Sequence, residues 1–151
     1  MKIVVLAGGL SPERNVSLSS GTMVSEALRA KGHRTAMVEL LCGAADGVER
    51  ESLFDAPLPQ AYKRVSPHAP DLKAIRASRK DQSPSAIGPR VLELCQTADL
   101  VYLALHGACG EDGRVQAALD LLGVPYTGSG CLSSAIAMDK DFTKRLVADR
   151  V

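Results

Sequence analysis

An α/β fold with a parallel central sheet flanked by helices is predicted by three features of this sequence. Residues 2–7 and 99–105 are continuous aliphatic runs, the pattern of parallel strands covered on both faces. Each run leads into a glycine-bearing loop and then into a segment of helical periodicity, the order expected where a parallel strand feeds a crossover helix. The chain has 151 residues and is 46% hydrophobic, which suits one domain with a real core.

The first strand, 2–7, ends at Gly8-Gly9. After the loop 9–14, Val16, Ser20, Met23, Val24, Ala27 and Leu28 recur at helical spacing and mark the face expected to pack on the sheet. Lys31-Gly32 supplies a basic last turn with a glycine stop. Residues 34–40 read as the second strand and complete a β-α-β unit. From 41 to about 70, six glycines and prolines interrupt any periodicity, so this stretch reads as a long surface excursion. Short helices are expected within 71–80 and 86–97, with starts left open by Pro84 and Pro89.

The strand at 99–105 is expected to run directly into His106. Asp112 reads as the N-cap of a helix whose stripe is Val115, Ala118, Leu119 and Leu122, ending at Gly123. Residues 125–127 read as a short strand, 128–130 as a turn, and everything from Cys131 onward as one helix.

Bulk chemistry narrows the function classes. Eighteen basic and seventeen acidic side chains leave a net charge of +1, so no long-range field gathers nucleic acid or an anionic membrane. Five aromatic residues and no tryptophan leave no stacking platform for single strands. The apolar N-terminal run is too short for a signal peptide or a membrane span. Four cysteines without a C-x-x-C pair read as reduced thiols of a cytoplasmic protein.

The chemistry concentrates where strands meet helix starts. His106, Glu111, Asp112 and the backbone N–H groups around Gly107, Gly110 and Gly113 fall at the carboxyl end of a strand, the usual place for small anionic ligands in α/β proteins. Gly8-Gly9-Leu10-Ser11-Pro12-Glu13 occupies the same position after the first strand, and the Glu13 carboxylate suits an ammonium group. That glycine pair departs from G-x-G-x-x-G, and Glu39 alone is thin support for a ribose contact. Simple strand-to-helix geometry explains the Gly-Gly turn equally, and a hydrogen-bonded core histidine explains His106. Glu111 and Asp112 read as helix caps in preference to metal ligands. Lys140 and Lys144, one turn apart, suit either a phosphate or a solvated helix face.

Taken together, GGLSPERNVSLSSG at 8–21, LALHGACGEDGRVQ at 103–116 and GVPYTGSGCLSSAIAMDKDFTK at 123–144 resemble the N-terminal part of D-alanine-D-alanine ligases of the ATP-grasp superfamily. Residues 42 to about 85 carry no part of the resemblance. It implies a Rossmann-like (pre-ATP-grasp) substrate-binding domain over 1–138, with 139–151 starting a linker helix into an ATP-grasp domain outside these residues. It also implies an ATP- and Mg2+-dependent reaction: one D-alanine carboxylate is phosphorylated, and the amine of a second attacks the acyl phosphate, giving the dipeptide of peptidoglycan precursors. By the resemblance Glu13 holds the ammonium of the first D-alanine, His106 with Gly107 lies near the carboxylate that reacts, and Lys140 approaches the nucleotide phosphates. Magnesium ligands, and the serine and tyrosine that partner the glutamate, are implied beyond Val151, so the 151 residues alone are expected to be inactive. The family further implies a cytoplasmic homodimer. Two alternatives stay open: a ligase joining D-alanine to D-lactate or D-serine, and a non-catalytic Rossmann-like nucleotide-binding module.

Overall fold

The computed structural model describes residues 1–66 and 68–148, and these form a three-stranded parallel sheet flanked by helices on both faces. The strands are β1 (Lys2–Ala7), β2 (Arg34–Glu39) and β3 (Leu100–Leu103), in the order β2-β1-β3. Ile3 pairs with Thr35 on one side and Leu100 on the other, so β1 is the central strand. The helices are α1 (Arg14–Ala30), α2 (Leu72–Ala77), α3 (Val91–Cys95), α4 (Arg114–Leu121), α5 (Cys131–Met138) and α6 (Lys140–Val147).

Alternation along β1 divides the core. Val4 and Leu6 face a cluster with Val38 and Val101, closed by Val91 and Leu94 of α3, by Val115 and Leu119 of α4, and by Phe54. Ile3, Val5 and Ala7 face the other way, against Leu18 of α1. A strand that must be apolar on both faces shows no two-residue alternation in its sequence, and this accounts for the unbroken run at 2–7.

Helix α1 keeps part of the expected face, with Val24 and Leu28 packed against the core cluster, and is rotated from the rest of it. Val16 and Met23 are exposed, and the residues turned to the sheet are Ser17, Leu18, Gly21, Thr22 and Ser25. Small side chains let the helix approach closely: a Cβ on Gly21 would lie 2.7 Å from that of Ala7. The buried hydroxyls return to helix carbonyls, Thr22 to Leu18 at 2.9 Å and Ser25 to Gly21 at 2.7 Å, so they enter the interior without unpaired donors.

Other expectations shift as well. β3 ends at Leu103, so Ala104 and Leu105 are buried loop residues and His106 stands three positions beyond the strand. Asp112 is not the cap of α4. Gly113, at φ +88°, holds the N-cap position, because a Cβ there would strike the Cys131 carbonyl oxygen. Residues 125–127 reduce to one parallel bridge from Tyr126 to Val101. The helix expected from Cys131 onward breaks at Asp139, whose extended backbone ends α5 and whose carboxylate accepts from Phe142 N (2.9 Å) to start α6. The last three positions of that expected helix, 149–151, lie outside the described residues.

The excursion after β2 also contributes to the core. Its 3-10 turn at Glu51–Phe54 seats Phe54 in the interior, and Arg34 ties that turn to β2 through Asp55 at 2.5 Å and through Glu51. Cys95, at the end of α3, is buried in the same cluster, and burial pushes its thiol up to about 12. The folded state therefore keeps a proton that the unfolded chain, titrating near pH 8.5 to 9, gives up. Stability from this group is complete below about pH 9 and is lost as pH rises, at roughly 1 kcal/mol per pH unit up to about 12. Chemical denaturation at about pH 8 and pH 10 should show a steeper alkaline loss in the parent chain than in Cys95→Ala; equal slopes would remove the thiol as the cause.

Candidate functional site

Two loops at the carboxyl edge of the sheet make the site. Residues 8–13 join β1 to α1, and residues 104–113 join β3 to α4. They emerge side by side because β1 and β3 are neighbours, so topology alone brings together residues almost a hundred positions apart.

Gly8 and Gly9, at φ +79° and +81°, turn the chain sharply off β1. Their amide groups are both occupied: Gly8 N donates to Ser17 Oγ (2.7 Å) and Gly9 N to Glu39 Oε1 (2.6 Å). Glu39 also accepts from Cys42 N and stands 3.6 Å from Arg14 Nε, with only 8% of its side chain exposed. This acid is an internal clamp on the first loop, which removes it from the ribose contact considered from sequence. The loop then makes a second turn, with Glu13 N on Ser11 Oγ at 3.1 Å. Glu13 ends it immediately before α1, exposed, its carboxylate carrying no hydrogen bond or ion pair among the described residues.

The second loop is ordered by its own carboxylates. Glu111 Oε2 accepts from Gly107 N (2.7 Å), and its Oε1 lies 3.9 Å from His106 Nδ1. Asp112 accepts from Cys109 N (2.9 Å) and Arg114 N (3.2 Å). Both acids were expected to cap the helix, and both instead hold the turn that presents His106, whose side chain is 35% exposed. Gln116, buried on α4, adds a bond from Nε2 to Gly110 O at 2.8 Å.

The loops meet at Gly107. A Cβ placed there would lie 2.6 Å from Ser11 Oγ and 3.6 Å from Glu13 Oε2, so only glycine permits this approach. Glu13 and Gly107 thus come together, with His106 adjacent in sequence. Lys140 stands apart, exposed at the first position of α6 and free of ion pairs among the described residues. The nearest link is a cavity of about 370 Å³ lined by Leu105, Glu111, Gln116 and Met138, the last only two residues before Lys140. Sequence reasoning missed Ser11 and Ser17, which carry no hydropathy signal.

Among the described residues no three or more His, Cys, Asp or Glu side chains gather as a metal site. No helix among them is long and apolar enough to cross a membrane.

The carboxyl edge of a parallel α/β sheet is where such domains commonly bind small polar molecules, and here it offers a free carboxylate and a histidine from adjacent loops. Residues 2–129 match the family described as D-ala D-ala ligase N-terminus, and the chain belongs to that family. A D-alanine-D-alanine ligase of Lacticaseibacillus casei is 45% identical over 148 residues, covering 97% of this chain and 42% of that relative. One of Pediococcus pentosaceus is 46% identical over 149 residues, with the same two coverages. The chain therefore spans less than half the length of these curated relatives. Among solved structures, a Bacillus anthracis D-alanine-D-alanine ligase complexed with ATP superposes with TM-score 0.61 at 27% identity, covering 99% of this chain and 36% of that one. The Coxiella burnetii ligase gives TM-score 0.61 at 26% identity, covering 99% and 42%.

Proposed function

We propose that these residues are the substrate-binding domain of an ATP-dependent ligase that joins two D-alanines for cell-wall peptidoglycan precursors. The observation that carries this reading is the contact of the two loops at Gly107, which sets the free Glu13 carboxylate beside the loop of His106. A D-amino acid carries an ammonium and a carboxylate on one carbon, and this pair of loops offers each a counterpart. Glu13 binds the ammonium, and His106 with the Gly107 backbone stands by the carboxylate. The family membership and the ligase relatives support the same assignment.

ATP supplies the phosphoryl group that activates the carboxylate, and Lys140 is the residue here suited to its phosphates. This chain's own tasks are orientation and protection: Glu13 fixes the amino end, Glu111 orients His106, and the closed loop contact limits water at the reacting carbon. Magnesium is assigned to no residue of this chain. In this reading residues 1–138 form the substrate domain and the segment from Asp139 leads toward an ATP-grasp domain, so the 151 residues alone do not turn over. A cytoplasmic homodimer completes the proposal, and the exposed Leu121 and Leu132 suit a second copy.

A nucleotide-binding module is disfavoured because the amides of Gly8 and Gly9, which would cradle a phosphate, are already bonded. D-lactate or D-serine as second substrate is separated from D-alanine by product analysis. The first test is ADP release by the product of the whole reading frame, with magnesium and ATP, comparing D-alanine, L-alanine and no amino acid. Stimulation specific to D-alanine is expected; its absence would end this reading. In the same protein Glu13→Gln should weaken D-alanine binding by about 1.5 to 3 kcal/mol with little change in melting temperature, since the ammonium exchanges a carboxylate partner for an uncharged amide. Unchanged affinity would take Glu13 out of the site.

A further inference from the structure

Ser17 is 0% exposed, one turn into α1, within the stretch 8–21 that carries the family resemblance, but the resemblance assigns it no role and hydropathy does not mark it. Its hydroxyl accepts from Gly8 N (2.7 Å) and donates to Ala104 O (2.6 Å). Gly8 opens the loop that ends in Glu13, and Ala104 stands two residues before His106. One oxygen thus bonds to both functional loops, at their roots.

We infer that Ser17 is a positioning residue that sets the spacing between Glu13 and His106, and with it the fit to the two ends of one amino-acid substrate. The inference rests on the D-alanine reading above and adds a residue to it. Backbone pairing between β1 and β3 stops at their carboxyl ends: the last rung is Leu6 with Leu103, followed by Ala104 N on Leu6 O at 2.9 Å. Past that rung the bonds joining the loop roots are those of Ser17. Both are short, both are shielded from water, and both partners are backbone groups that have no other acceptor or donor to turn to. The contact further out, Gly107 against Ser11 and Glu13, is van der Waals packing with no bond of its own, so its distance is inherited from the roots. The ammonium and carboxylate of an α-amino acid sit on one carbon, so a small increase in loop spacing cannot be absorbed by the substrate. ATP, approached from the Lys140 side, does not bridge these loops.

The test measures KM for D-alanine and for ATP separately, in the product of the whole reading frame. Ser17→Ala should raise KM for D-alanine about tenfold or more and leave KM for ATP within about twofold. Ser17→Cys, which keeps a weak donor and acceptor in nearly the same volume, should fall between it and the parent, and it carries the test if the alanine variant does not fold. Leu94→Ala is the control for plain loss of stability, because Leu94 is buried on α3 and belongs to neither loop; it should lower the melting temperature with both KM values unchanged. The assignment is overturned if the Ser17 variants keep the parent KM for D-alanine, or if both KM values rise together in the Ser17 and Leu94 variants. A parent protein that releases no ADP in response to D-alanine removes the underlying reading instead, which keeps the two failures distinct.

Discussion

Alanine at Gly107 should lower D-alanine-dependent turnover about a hundredfold in the complete protein, with the fold preserved. Two effects combine. The backbone at φ +69° strains any residue with a Cβ by about 1 to 2 kcal/mol. The added methyl would also stand 2.6 Å from Ser11 Oγ, well inside contact distance, so one loop must retreat. Ser11 is buried and holds Glu13 N, so its retreat carries Glu13 with it; retreat of the other loop moves His106 and loosens the Gly107 N bond to Glu111. Either way, Glu13 and His106, which the proposed function assigns to the two ends of one substrate, move apart. The measurement is kcat/KM for D-alanine beside the melting temperature, and a variant as active as the parent would show that the loop contact has no part in catalysis.

Leu119→Ala should cost about 2 to 5 kcal/mol of stability, a fall of roughly 10 °C in melting temperature, with no specific effect on substrate. Leu119 is 0% exposed and packs with Val115, Val101, Leu105 and Val124, so truncation leaves a cavity walled by a strand and a helix that cannot easily collapse. Thermal unfolding checks it. A silent substitution would mean that α4 turns a different face to the sheet.

Strands and the two loops at the carboxyl edge of the sheet were legible because their signals are local: an aliphatic run ending in glycine marks a covered strand and its exit. Glu13, His106 and Gly107 could be singled out for the same reason, since strand ends are where parallel α/β proteins hold ligands. The buried face of α1 was misread because close packing, rather than hydrophobicity, selected it. Ser17, Gly21, Thr22 and Ser25 are small enough to bring helix to sheet, and their hydroxyls find partners that no hydropathy pattern encodes. Asp112 looked like a cap until the demand for left-handed backbone at Gly113 decided the position. Glu39 and Glu111 owe their roles to amides brought near by the fold, Gly9 from thirty residues away and Gly107 across a tight turn. Phe54 was hidden in a stretch whose glycines and prolines mask one deep anchor.

The central place of β1 has a consequence for how the chain is made. β1 is translated before both of its partners and needs neighbours on both sides. β2 follows soon, but β3 arrives only at Leu100, and the root of the pairing, Asp99 N on Lys2 O and Lys2 N on Asp99, joins the two ends of that interval. Until β3 has left the ribosome, β1 has an open apolar edge, and pairing across so long a separation is slow. A nascent chain stalled within residues 42–90 would therefore expose a sticky two-stranded sheet, while one that has passed Leu103 can close it. Ribosome-bound chains of graded length, probed by limited proteolysis, should show protection of β1 appearing abruptly once β3 has emerged.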